Sequence, residues 1–201
     1  ITANGVTYLM IITGISISLA LQISGIAGLV LAFLLSQLQM LWDCCDGEIA
    51  RWREMQSPKG VFLDRVGHYL TESFIPIALA YRIGKDNYEI LFLAALVSVF
   101  ILLNKGFNDS VHVARAYSQL PKIADSRDVG APKSTFLKIA RAPFKVFAVQ
   151  RLFHSVEMSI LILLFSASEN LIRVGLPVAV FVTVGHLISI LGSRKLDSAS
   201  R

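Results

Sequence analysis

Apolar and polar positions fall in blocks along this chain rather than alternating residue by residue. Six apolar stretches, at 5–22, 24–43, 61–82, 88–105, 150–168 and 171–192, approach with their flanks the length of about 20 residues that crosses a bilayer as a helix. None shows the period-2 pattern of a membrane barrel, and unpaired backbone cannot face lipid. The blocks predict an all-α integral membrane protein with six transmembrane helices in one domain, 1–201. Short polar turns at Ser24-Gly25, Gly84-Lys85-Asp86-Asn87 and 166–170 separate spans at one face, and Ser57-Pro58-Lys59-Gly60 turns the chain at the other. The fourth span is expected to run on from Lys105 to Leu120 beyond the membrane. Residues 135–149 set Lys138, Arg141 and Lys145 on one side and Phe136, Ile139 and Phe147 elsewhere. That pattern predicts a cytoplasmic amphipathic helix lying in the membrane interface, bent at Pro143, with a loop running into an early fifth span as the other reading.

Composition agrees with the pattern. Charged residues make up 16% of the chain and hydrophobic ones 54%, with a mean hydropathy of +0.62, whereas soluble domains carry about 25% charged residues. The chain begins at Ile1, so further residues are expected to precede it, and no cleavable signal is visible. The net charge of +5 matters less than its distribution. Arg51, Arg53, Lys59, the many cations of 105–151 and the tail residues Arg194, Lys195 and Arg201 fall on one face, against Arg82, Lys85 and Arg173 on the other. The positive-inside rule puts both termini on the cytoplasmic side. The basic residues then need no nucleic-acid partner, because topology and anionic lipid heads account for them. Cys44 and Cys45 are adjacent at the same face, poorly placed to bridge, and read as packing residues rather than metal ligands.

One polar feature does not fit a plain bundle. Asp43, Asp46, Gly47 and Ala50 stand at i, i+3, i+4 and i+7 at the end of the second span, and Asp64 and His68 at i, i+4 in the third. On helices each set shares a face. The spans are joined by a short turn, so the two faces are expected to meet and pool Asp43, Asp46, Asp64 and His68 around one pocket. An acidic side chain within a span costs about 2.5–3.5 kcal/mol on insertion scales, which marks such positions as functional. Clustered carboxylates repel unless a cation holds them, and oxygen-rich ligands select magnesium, manganese or calcium. Two divalent ions would turn this acidic pocket into one that attracts a diphosphate.

The spacing Asp43-x2-Asp46-Gly47-x2-Ala50-Arg51-x8-Gly60-x3-Asp64 resembles the signature of the CDP-alcohol phosphotransferases, integral membrane enzymes of phospholipid synthesis. The stretch from Thr2 to Thr7 looks like that family's lead-in to its first span. The resemblance implies a CDP-linked lipid donor such as CDP-diacylglycerol, two Mg2+ or Mn2+ ions on Asp43, Asp46 and Asp64, and attack by an alcohol with release of CMP. Gly47, Ala50, Arg51 and Gly60 would then receive the donor nucleotide. It also implies a homodimer. The family pattern places an aspartate, its proposed general base and metal contact, where this chain has His68. The imidazole could serve as the base, bind a metal through nitrogen and favour manganese, or mark a catalytically impaired relative that still binds nucleotide.

The acceptor is less clearly written. Lys105, Arg115, Lys133 and Arg151 could converge on a phosphorylated alcohol, or serve topology and lipid contact alone. Asn104, Asn108, Asp109 and His112 form a polar strip on the fourth span, lining an acceptor site or satisfying one another. Glu72 and Glu157 read as intramembrane hydrogen-bond partners, and His154 and His186 as structural. An intramembrane prenyltransferase would carry a second Asp-rich motif, and a transporter matched repeats with broken helices; neither is found.

Overall fold

The computed structural model describes residues 2–84, 86–120 and 169–191, with 162, 164 and 166 between them. These residues form five helices and no strand: α1 (Ala3–Ala20), α2 (Gly25–Trp52), α3 (Pro58–Gly84), α4 (Tyr88–Tyr117) and α5 (Glu169–Leu191). Four of them, all but α3, are long and apolar enough to cross a membrane. Asp64, Arg65, His68, Glu72 and Arg82 all lie on α3, the helix that carries the most site chemistry. The expected amphipathic helix at 135–149 lies outside the described residues, and the fifth expected span, 150–168, lies almost wholly outside them.

Local signals set the helix ends. The Thr2 side chain accepts from Gly5 N at 3.2 Å, and Asn87 accepts from Glu89 N and Ile90 N, so both cap open helix starts. Pro58 opens α3, where its missing N–H costs nothing. α2 closes with Glu54 at φ 52°, letting Met55 N reach Ala50 O and Glu54 N reach Arg51 O. Gln119 ends α4 in the same way. Both are left-handed C-terminal caps that satisfy the last carbonyls.

The helices run up and down. At one end Arg82, closing α3, donates to the carbonyls of Leu21 and Gly25 at 2.7 and 2.6 Å, tying α3 to the α1–α2 turn. At the other end Lys59 Nζ stands 5.9 Å over the Tyr8 ring, joining the starts of α3 and α1. The apolar core gathers near the Arg82 end: Ile17, Leu21, Ala32, Ile75, Ala80, Ile90, Ala94 and Ile172 are all buried together. The opposite end combines buried Val6, Met10 and Val111 with the polar groups of the site. Long apolar side chains such as Ile26, Leu34, Phe92 and Phe181 point outward, where a membrane supplies their solvent. Small residues permit the close approaches inside. A Cβ on Gly14 would collide with Thr71 Oγ1, and one on Gly67 with Met10 Cε, so each glycine makes room for a side chain of the other helix and α1 and α3 pack closely.

The polar faces of α2 and α3 meet, as expected, at Asp43 and His68. The two helices make little other contact; α1 packs against both, and α4 packs against α3. α2 and α3 meet chiefly through polar side chains, and the space between them is the site.

Candidate active site

α2 brings Asp43 to this space near its C-terminal end, and α3 brings Asp64 and His68 from its first half. His68 Nε2 is 3.1 Å from Asp43 Oδ1 and 3.5 Å from Asp64 Oδ1. One ligand atom from each of the three lies within 4.8 Å of the others. All three are part-buried, with side chains 30%, 42% and 23% exposed for Asp43, Asp64 and His68. Two carboxylates and an imidazole, so placed and still open to solvent, form a donor set that fits a magnesium- or manganese-type ion. The i, i+4 step from Asp64 to His68 does what the sequence implied.

Asp46 is held differently. It is buried, at 8% exposure, and its Oδ2 accepts from Thr7 Oγ1 at 2.6 Å. Its partner comes from α1, and it is not among the ligand atoms that Asp43, Asp64 and His68 gather within 4.8 Å, although it lies near enough for its charge to act on them. The role of Thr7 was hidden in the sequence, because only packing puts the first span beside the second at this depth. The threonine in the family-like lead-in was the available clue.

Of the residues expected to receive a nucleotide, Gly47 and Ala50 lie part-exposed on the α2 face that carries Asp43. A Cβ on Gly47 would meet only the Arg51 guanidinium, at 3.4 Å, so the space beside it is otherwise open. Arg51 pairs with Glu48 at 2.7 Å, both largely exposed. Exposed pairs contribute little, so the guanidinium can exchange Glu48 for a phosphate. Gly60 opens α3 beside α1, where a Cβ would press on Asn4 Oδ1 at 3.1 Å and Ser57 Oγ at 3.3 Å.

A second polar layer backs the first. Glu72, 2% exposed, places Oε1 3.4 Å from His68 Nδ1 and 3.0 Å from Lys105 Nζ of α4. Asp109, also on α4, takes both Arg65 and the Tyr69 hydroxyl of α3. Lys105 Nζ stands 6.0 Å from the Tyr69 ring centroid. The polar strip of α4 is thus divided. Asp109 faces α3, while Asn104 donates to the Thr183 carbonyl of α5 at 2.9 Å. Among the cations expected at an acceptor site, Lys105 is committed to Glu72 and Arg115 is buried near the end of α4. Lys133 and Arg151 lie outside the described residues. Glu72 was expected to be an intramembrane hydrogen-bond partner; it is instead placed in ion pairs with His68, one helical step of four away, and with Lys105 of α4, which the sequence could not supply.

Compared with known proteins, residues 1–185 match the family described as CDP-alcohol phosphatidyltransferase. No curated protein matches the chain, and no solved structure does. The match takes in every described helix through most of α5, and the acidic positions that first pointed to metal and diphosphate fall within it. The chain belongs to the CDP-alcohol phosphatidyltransferase family.

Proposed function

We propose that this protein transfers a phosphatidyl or similar phosphoryl-alcohol group from a CDP-linked donor such as CDP-diacylglycerol to an alcohol, releasing CMP. The observation that carries the reading is the meeting of Asp43, Asp64 and His68 across the α2–α3 space, within a chain of this family. The family generally depends on divalent metal, and this donor set fits one. Asp43 and Asp64 are the proposed ligands, with Asp46 alongside. Mg2+ or Mn2+, when bound, would supply Lewis-acid charge to the donor diphosphate. Arg51 swings from Glu48 to a donor phosphate, and Gly47 and Ala50 leave room for the cytidine. The lipid tails of the donor are proposed to stay in the bilayer, entering sideways between helices.

His68 is the proposed general base. Its Nε2 lies beside Asp43 and Asp64, where an acceptor hydroxyl would approach the donor. The hydroxyl proton passes to Nε2 as the new P–O bond forms and the bond to CMP breaks. Arg115, Lys133 and Arg151 are the cations proposed for a phosphorylated acceptor, Lys105 being held by Glu72. The site and both termini are proposed to face the cytoplasm, in one domain of six spans that works as a homodimer.

The test is CMP release by the purified chain in lipid nanodiscs, given CDP-diacylglycerol, Mg2+ or Mn2+ and a panel of alcohols. Release that requires one alcohol supports the reading and names the acceptor. Metal-dependent CDP binding without release from any alcohol contradicts it in favour of a relative that binds without turnover.

A further inference from the structure

Gln39 is 0% exposed within α2, a helix apolar enough to cross a membrane, and neither end of its amide has a hydrogen-bond partner among the described residues. The hydroxyl of Thr71 on α3, a residue 2% exposed, has none among them either. Two contacts set the depth of these groups. Thr7 of α1 meets Asp46 of α2, and the two helices run in opposite directions. Seven residues onward from Thr7 and back from Asp46, about 10 Å along each helix, Gly14 comes level with Gln39. His68 of α3 meets Asp43 of α2. One turn onward from His68 and back from Asp43, the stretch holding Thr71 comes level with Gln39. Gly14 is the position whose missing Cβ leaves room for Thr71 Oγ1. Gln39 also shares the α2 face of Asp43 and Asp46, which follow it at i+4 and i+7. The unpartnered amide and hydroxyl therefore lie where α1, α2 and α3 converge, one helical turn further into the bundle than Asp43.

We propose that this three-helix junction is a binding site for enclosed water, held by the Gln39 amide and the Thr71 hydroxyl. The proposal does not rest on the phosphotransferase reading. A buried amide or hydroxyl without a partner is costly in apolar surroundings, and lipid tails offer no partner. The backbone offers little, because N–H and C=O groups in the middle of a helix bond within it. Gly14 contributes no side chain. The amide needs an acceptor for Nε2 and a donor for Oε1, and the hydroxyl takes either; water is both at once. Buried waters make about three hydrogen bonds to groups of this kind. Gln39 Nε2, Gln39 Oε1 and Thr71 Oγ1 are the polar atoms that supply them. A neutral amide and hydroxyl bring no charge with which to hold an ion or a phosphate. Their complete burial leaves no entry for a lipid headgroup. Water there ties α2 to α3 through a second polar contact, one turn from Asp43, and so fixes the depth at which α2 presents Asp43 and Asp46.

The experiment is 1H–15N NMR of the glutamine-labelled full chain in nanodiscs of deuterated lipid. The Gln39 amide is identified by its loss in Gln39→Met, or in Gln39→Asn where the methionine variant does not fold. Its protons are expected to show cross-relaxation to water with the sign of a long-lived, bound molecule, while a water-soluble gadolinium chelate leaves the signal sharp. Thr71→Val keeps the shape but removes one holder, and should weaken that cross-peak at least about twofold. Absence of cross-relaxation to water overturns the proposal, and so does broadening by the chelate, which would mean bulk solvent. A cross-peak to the Thr71 hydroxyl alone overturns it too, since the two groups would then bond directly. Thermal unfolding gives a second reading. Gln39→Met and Thr71→Val should each lower the midpoint by about 2–8 °C, because each leaves the water short of a partner, and the double variant should lose less than the sum of the two. A midpoint that rises in Gln39→Met contradicts the proposal, because an amide held by nothing is better replaced by an apolar side chain of its length. Strictly additive losses contradict it as well.

Discussion

Thr7→Val isolates the contact that holds Asp46. Thr7 is 2% exposed and Asp46 8%, so neither has water to fall back on. The threonine hydroxyl lies 2.6 Å from Asp46 Oδ2 and 3.2 Å from the Ala3 carbonyl. One proton cannot serve both, and the shorter bond, to the carboxylate, takes it. Valine replaces the hydroxyl with a methyl of similar size, so packing between α1 and α2 is kept while the donor is lost. A hydrogen bond to a charged group contributes about 1.5–3 kcal/mol. At about 1.4 kcal/mol per decade, that is roughly 10–140-fold in any equilibrium that needs Asp46 in place. The assay is the Mg2+ concentration dependence of CMP release, read beside the thermal midpoint in nanodiscs. Thr7→Val should need more Mg2+ by that factor, or melt earlier by the equivalent free energy. Thr7→Ser, which keeps the hydroxyl, should resemble the wild type. A valine variant indistinguishable in both readouts refutes the reasoning, and so does a serine variant as impaired as valine, since that would make the methyl rather than the hydrogen bond responsible.

Other outcomes follow from the same geometry. His68→Ala should lower kcat by about 10²–10⁴-fold, the range of a lost general base, while His68→Asp should restore part of it; full activity in the alanine variant, measured by CMP release, removes His68 from the chemistry. Arg82→Met takes away the donors to Leu21 O and Gly25 O and should cost about 1.5–3 kcal/mol of stability in thermal unfolding, with kcat of the folded protein unchanged. Gly67→Ala would push a methyl against Met10 and Ile11 and should destabilise by about 1–3 kcal/mol, seen as an earlier thermal midpoint.

The helical bundle was legible because lipid demands long apolar helices, and the block pattern states that demand directly. The acidic positions were legible because helical spacing places side chains on faces: Asp64 and His68 needed only the four-residue step. The partner of Asp46 was not, since Thr7 lies 39 residues away and only packing of α1 against α2 joins them. The same holds for the Glu72–Lys105 and Asp109–Arg65 pairs, which record how α4 lies along α3. The place of α1, packed against both α2 and α3, was not legible either; Gly14 and Gly67 let α1 and α3 approach closely.

Electron paramagnetic resonance of Mn2+ bound to the chain in nanodiscs, with and without CDP, tests the central claim most directly. The account predicts saturable Mn2+ binding that CDP strengthens, that Asp43→Asn and Asp64→Asn abolish, and that Asp109→Asn, outside the trio, leaves in place. Mn2+ binding that survives loss of both Asp43 and Asp64 contradicts it.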